Sequence, residues 1–336
     1  MGAGGGPQWW KRGDAVFCGQ RLFSVPHDED AHWPAGATRD FYIRRFFRIA
    51  PLFYAMLLFT GVRDALYFGA RHDVWEWIKS ILFIFNFFPG SEAGIVWASW
   101  TIGVEMVLYA IFPLLFARFR SFSGLIALTF AALLGAGIFR ELVGSLPVPD
   151  AVRPQFETIS FFRHLPVFIL GMLCWLIYNR FIANLEHGRS IGAALILGSL
   201  WAYSALLNGS LNVGFSDPYY WQPIIYSALL LGLAISPTRV VVNKFSLLAG
   251  KLSYSIYLLH PPTILFLIPV YRRIYGLGLP TSASFLLSFG VTLGLVLPAS
   301  LITYHWIEAP GMKLGKQLLA RKQIAPIATV TDARPI

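Results

Sequence analysis

The chain carries little charge for its size. Only 13% of its 336 residues are Asp, Glu, Lys or Arg, about half the ~25% of an ordinary soluble domain. With so few water-seeking side chains, a 56% hydrophobic and 16% aromatic content cannot be hidden inside a water-soluble fold of this length. Cysteine is scarce too: Cys18 and Cys174 give no disulfide framework, no CxxC and no His/Cys metal spacing. GxSxG, the P-loop, GxGxxG after a strand and HExxH are all missing, which excludes hydrolase elbows and nucleotide folds. The opening MGAGGGPQWWKRGDAVFCGQ lacks the apolar core of a secretory signal. No internal repeat or low-complexity tract stands out. These absences exclude a soluble enzyme, a disordered tail and a disulfide scaffold. What they leave is an all-α, polytopic transmembrane helical bundle, in keeping with a mean hydropathy of +0.59.

The net charge of +10 invites a nucleic-acid reading, but the basic residues fall in short clusters between apolar runs. That placement fits the positive-inside rule, with membrane lipid rather than nucleic acid as the partner. The clear apolar stretches are 97–116, 122–142, 161–180, 191–207, 220–236, 253–271 and 282–306, most of them near the ~20 residues that cross a bilayer. Region 49–89 holds two shorter runs split by Arg63, Asp64, Arg71, His72 and Asp73. If it crosses once and then lies interfacially or re-enters, loops outside it hold nineteen Lys/Arg on one side and five on the other. Two crossings there would scramble that bias. The expectation is therefore about eight crossings in the cytoplasmic membrane with both termini cytoplasmic. The domains read as a polar leader (1–48), a membrane domain (49–307) and a basic tail (308–336).

A charged group inside a span is expensive and marks a candidate site. Glu105 lies deep in the run 97–116 with no basic residue within a helical turn or two; the alternative is a carboxyl held by Ser, Tyr or Trp donors for packing alone. His260 precedes Pro261 and Pro262, which should break its helix, and has Tyr257 and Tyr254 three and six residues earlier, roughly on its face. Function and structural satisfaction weigh equally for it. Arg45 and Arg48, three apart and flanked by Arg44, would stand side by side on a helix as a phosphate clamp, or else anchor the inner boundary. Arg163, His164, His305 and Glu308 read as interfacial anchors. The leader's His27, Asp28, Glu29, Asp30 and His32 are adjacent ligands that rarely converge on one ion, so no metal is expected.

Five of these segments together resemble a known family. FYIRRFFRIAPLFY (41–54), WASWTIGVEMVLYAIFPLL (97–115), FFRHLPVFILGML (161–173), LSYSIYLLHPP (252–262) and YHWIEAPGMKLGKQL (304–318) are similar, in order, to motifs of the acyltransferase 3 family of integral membrane O-acyltransferases, with Thr101 in a position usually held by serine. The resemblance implies transfer of an acyl group, usually acetyl, from acyl-CoA to a hydroxyl, typically of a surface polysaccharide or glycolipid. It implies that Arg45 and Arg48 handle the CoA phosphates and that Glu105 matters to the chemistry. It also implies two earlier helices, the first carrying an Arg and, about ten residues on, a catalytic His. The leader has no such pair, and Arg12, Arg21, His27 and His32 do not fit the role. The expectations are then a coding sequence that extends upstream, an inactive remnant, or a divergent enzyme using another base, with His260 the leading candidate. A transporter or flippase is the reading from another class, since broken helices and a buried carboxylate suit it too.

Overall fold

The computed structural model describes residues 36–182, 188–210, 221–237 and 241–323. Among these, all regular structure is helical: α1 (Ala37–Arg63), α2 (Val74–Ile81), α3 (Trp100–Arg118), α4 (Phe122–Ser145), α5 (Arg153–Ile159), α6 (Phe161–Ile177), α7 (Gly188–Leu207), α8 (Trp221–Ile235), α9 (Lys244–Tyr275), α10 (Thr281–Thr303) and α11 (Ala309–Gln323). Seven helical segments are long and apolar enough to cross a bilayer, and Trp221–Ile235, where a further crossing was expected, is a shorter apolar helix of 15 residues. A π-helical turn, Tyr304–Glu308, joins α10 to α11 without a break. The boundaries drawn at 48/49 and 307/308 therefore fall inside helices. The leader's candidate metal cluster and Cys18 lie outside the described residues.

Region 49–89 contributes one crossing. α1 ends in a π-helical turn, Asp64–Phe68, and the chain then folds back along it. α2 has only eight residues, ~12 Å of helix against a hydrocarbon layer of ~30 Å. Its return is fixed by Tyr54, whose hydroxyl donates to the Ile81 carbonyl at 3.0 Å, and by Phe83, 4.6 Å from Phe53 between ring centroids. Asn86 then donates to the carbonyls of Glu92 and Trp100, both at 3.1 Å, seating the start of α3. Of the charges that interrupt the apolar run, Arg71 and Asp73 are exposed, while Arg63 and Asp64 are buried and paired: Asp64 accepts from Arg63 at 2.6 Å and lies 2.9 Å from the half-buried His72, whose other nitrogen is 3.1 Å from Glu76. The Arg63 guanidinium also covers Trp97 at 4.1 Å. Burying a charge demands such partners, and here they pin the returning segment to the end of α1. This is the loop end of the bundle; the opposite, arginine end holds Arg45 and Arg48.

α3 runs back to the arginine end, where Tyr42 donates to the Ala110 carbonyl at 2.7 Å. α6 packs beside it through Phe112–Phe168, and α4 packs on α6 through Phe139–Phe162. α9 and α10 form an antiparallel pair, tied near one end by Tyr271 and Thr292 at 2.6 Å. The prolines expected to break α9 do not: it runs unbroken through Pro261, Pro262 and Pro269. Proline removes the N–H that would reach the carbonyl four residues earlier, so Pro261 frees the Tyr257 carbonyl. His260 fills that place, its Nδ1 lying 2.7 Å from the same oxygen.

α11 turns back onto α1. A Cβ at Gly311 would stand 2.7 Å from Pro51 Cγ and 3.0 Å from the Phe47 carbonyl oxygen, and one at Gly315 would stand 2.9 Å from Phe47 Cβ. Two glycines four apart on a helix give the flat stripe that close helix–helix contact in membranes needs. Gly311→Leu is expected to cost ~1–3 kcal/mol by overpacking, whereas Gly290→Ala, with open space at its Cβ position, should not destabilise. Thermal unfolding of the two variants in detergent checks this; equal melting temperatures would contradict the close contact.

Candidate functional site

At the arginine end the spacing of Arg44, Arg45 and Arg48 acts as expected of a helix: Arg44 is exposed, while Arg45 and Arg48 are partly buried. The two then part company. The Arg45 guanidinium lies over Tyr109, 5.0 Å from the ring centroid, and 5.6 Å from that of Phe41, an arrangement in which the ring quadrupole attracts the cation. The Tyr109 hydroxyl donates to Glu105 Oε1. Arg45, Tyr109 and Glu105 thus form one chain of contacts from α1 to the middle of α3, and the glutamate whose sequence neighbourhood lacks a cation acquires one through a tyrosine. Arg48 reaches instead toward α11, its Nη1 3.9 Å from Met312 Sδ, and acts electrostatically on Glu308.

Glu308 corrects the sequence reading. An interfacial anchor would be wet, yet Glu308 is 0% exposed. Ser255 Oγ donates to its Oε1, and Thr303 donates to Ser255 at 3.1 Å. The stripe Gly311–Gly315 explains the burial, because it draws the start of α11 against α1 and carries the preceding turn inside. That pair of glycines was the available signal. Tyr254 of α9 lies within electrostatic reach of both carboxylates. Its hydroxyl donates to the Ile49 carbonyl at 2.7 Å, and Glu308, Glu105 and Arg48 all act on it.

Polar groups continue toward the loop end. Thr101, Glu105 and Tyr109 are spaced four apart, so α3 presents them on one face. Opposite, Tyr257 of α9 accepts from Thr101 at 2.8 Å and donates to the Ala98 carbonyl at 2.7 Å. Ala98 has a positive φ of 64°, a conformation that costs a non-glycine residue energy and persists where its surroundings impose it. His260 lies one turn beyond Tyr257, its ring 5.7 Å from that tyrosine's. Since a carbonyl only accepts, the Tyr257 contact assigns a proton to Nδ1; in the neutral ring Nε2 is then the acceptor. The helices therefore line up a file of polar side chains: Arg45, Arg48 and Glu308; then Tyr109, Glu105 and Tyr254; then Thr101 and Tyr257; then His260. From Tyr254 to His260 is six residues, ~9 Å along the helix.

The other sequence candidates lie elsewhere. His164 packs on Trp100 at 5.0 Å between ring centroids, His305 is exposed and bonds its own helix at Leu301, and Cys174 is a free thiol. Among the described residues no group of His, Cys, Asp and Glu could hold a metal ion. The Arg63–Asp64–His72 cluster at the loop end entered the sequence reading only as charges that split an apolar run.

Comparison with known proteins places this arrangement in a class. The profile of the acyltransferase 3 family, described as an acyltransferase domain, matches residues 31–305, and the chain belongs to that family; its apolar helices make it an integral membrane protein. It is 24% identical over 316 residues to the O-acetyltransferases OatA of Staphylococcus aureus strains NCTC 8325 and COL. The match covers 84% of this chain and 48% of each relative, so the chain spans about half their length. No solved structure matches it.

The carbonyl freed by Pro261 makes His260 testable apart from chemistry. His260→Ala is expected to cost ~1–3 kcal/mol, the usual penalty for an unsatisfied buried acceptor. His260→Asn, whose amide can donate to the same carbonyl, should keep most of the stability. Equal losses in thermal unfolding would show that the ring does not serve the Tyr257 carbonyl.

Proposed function

We propose that the chain is a membrane O-acyltransferase that takes an acyl group, acetyl in particular, from acyl-CoA and delivers it to a hydroxyl of a surface polysaccharide or glycolipid. The observation that carries this reading is the chain of contacts from Arg45 through Tyr109 to Glu105, which joins a cationic helix end to a carboxylate in the bundle interior. Family membership supports acyl transfer, and the relatives' name supports acetyl as the group. In this reading the arginine end faces the cytoplasm, where acyl-CoA is found; the chain sits in the cytoplasmic membrane with both termini inside, as the bias of Lys and Arg between loops suggests.

The chemistry follows from the file. Guanidiniums bind phosphates through charge-assisted bonds, so Arg45 and Arg48 hold the CoA phosphates and direct the thioester toward Glu105. The acceptor hydroxyl oxygen attacks the thioester carbonyl; a C–O bond forms, the C–S bond breaks, and the proton lost by the hydroxyl ends on the departing CoA sulfur. That proton needs a carrier. Glu105, with Oε1 engaged by Tyr109 and Oε2 left to accept, is one acceptor; His260 Nε2 is the second, nearer the loop end, its ring held by the Tyr257 carbonyl. A positioned acid–base group contributes roughly 10²–10⁴-fold.

Arg45→Ala and Arg48→Ala are each expected to weaken acyl-CoA binding about tenfold or more, the loss of a charge-assisted contact worth ~1.5–3 kcal/mol. Glu105→Gln should bind acyl-CoA and transfer nothing; His260→Asn should stay folded and lose transfer. Equilibrium binding of acyl-CoA and transfer of a radiolabelled acyl group to isolated envelope glycans measure both. Unchanged affinity in both arginine variants would refute the phosphate role, and undiminished transfer by Glu105→Gln would refute the catalytic one.

A further inference from the structure

The loop end carries a cluster that the acyl-transfer reading leaves unused. His72 stands between two carboxylates, its Nε2 2.9 Å from Asp64 Oδ2 and its Nδ1 3.1 Å from Glu76 Oε2. An ionised carboxylate only accepts, so each of these bonds needs a proton on the ring nitrogen it meets. Neutral imidazole carries one N–H, and both bonds exist together only in the doubly protonated ring. Once one proton leaves, a nitrogen lone pair faces a carboxylate oxygen, and that contact turns from attraction to repulsion. The His72 side chain is 21% exposed, so water reaches the ring and can exchange its proton.

The two carboxylates belong to different elements. Asp64 opens the π-helical turn that ends α1, and Glu76 lies in the first turn of α2. Between them the chain passes through Gly69, whose φ of 63° is open to a residue without a side chain, and through exposed Ala70 and Arg71. The ring therefore fastens the span 69–76 onto the end of α1. Beyond α2 the chain is held by other means: Tyr54 at Ile81, Phe83 on Phe53 and Asn86 at Trp100. Other charged groups surround the ring. α1 brings Arg63, which bonds Asp64 through two nitrogens. α2 brings Lys79 and its N-cap Asp73, which accepts from the Glu76 amide at 2.6 Å. A cavity of about 80 Å³ joins His72, Glu76 and Lys79 to the segment 90–95, where Ser91 accepts from Lys79 and Glu92 is buried. Arg63 and Lys79 thus have partners of their own, and the link between Asp64 and Glu76 is left to His72.

We infer that His72 is a proton-operated clasp: doubly protonated, it holds the span 69–76 against the end of α1, and on losing a proton it lets that span open. Closure is complete on the acid side and is lost as pH rises. Arg63, which shares Asp64, lies over Trp97, next to the Ala98 whose carbonyl receives Tyr257. The span that opens therefore borders the loop end of the polar file. The clasp stands on these contacts alone and does not depend on the acyl-transfer reading.

The test is hydrogen–deuterium exchange of the full chain in detergent, read by mass spectrometry of peptides covering 69–76. It compares about pH 5 with about pH 8, the interval in which histidine serves as a proton switch, with labelling times scaled to the intrinsic exchange rate. Wild-type protection of this span is expected to fall about tenfold at the higher pH, the loss of one hydrogen bond between charged groups, while α3 keeps its protection. Glu76→Gln supplies both an acceptor and a donor, so with the Nε2 proton kept on Asp64 it bonds Nδ1 in either protonation state. That variant should stay protected at both pH values. His72→Gln has no proton to lose and should show the same protection at both. Equal wild-type protection at the two pH values, opening of Glu76→Gln to the wild-type extent, or a wild-type pH dependence in His72→Gln would overturn the clasp.

Discussion

The interior of a bilayer offers no partner to a hydrogen-bonding group, so a polar side chain placed there is costly unless another part of the chain meets it. The bundle depends on that constraint. Glu105 is met by Tyr109, Tyr109 by Arg45, Glu308 by Ser255, Tyr257 by Thr101, and the carbonyl exposed by Pro261 by His260. Apart from the Glu105–Tyr109 bond inside α3, each contact crosses between helices or repairs one, and together they hold α1, α3, α9 and the turn before α11 in register. A function placed along this file inherits its geometry from the same contacts that make the fold affordable in lipid.

The two ends of the bundle solve the problem differently. At the loop end, buried Asp64 pairs with buried Arg63 and with half-buried His72, which fastens a returning segment. At the arginine end, Arg45 and Arg48 stay partly exposed and engage an aromatic face and a thioether. A cation over a ring retains unused N–H donors, because the quadrupole attracts the charge without consuming hydrogen bonds. That leaves capacity for an anionic ligand, which the tightly paired Arg63 lacks. The difference supports placing donor binding at the arginine end.

Much of this was legible in sequence. Low charge, long apolar runs and the distribution of Lys and Arg were enough for an all-α membrane bundle and for a single crossing in region 49–89, because those signals depend on composition along the chain. Glu105, Arg45, Arg48 and His260 stood out by the cost of polar groups in an apolar run. Partnerships were another matter. Arg45 meets Glu105 through a residue 64 positions away from the arginine, and such long-range pairing leaves no periodic trace. Glu308 was misread because hydropathy locates a span's end but not which neighbour covers it; the cover comes from Gly311 and Gly315 lying against Phe47 and Pro51. Pro261 and Pro262 suggested a broken helix, and the repair by the preceding histidine depends on a side-chain geometry that spacing does not encode.

The central claim is that Tyr109 couples the donor-binding arginine to the carboxylate that serves the chemistry. Tyr109→Phe removes one hydroxyl and leaves the aromatic face beneath Arg45, so acyl-CoA affinity and transfer rate can be read separately in the same variant. The contact account gives near-wild-type affinity with transfer lowered by about ten- to a hundredfold, the range of one lost hydrogen bond to a charged group. Transfer at the wild-type rate would contradict it.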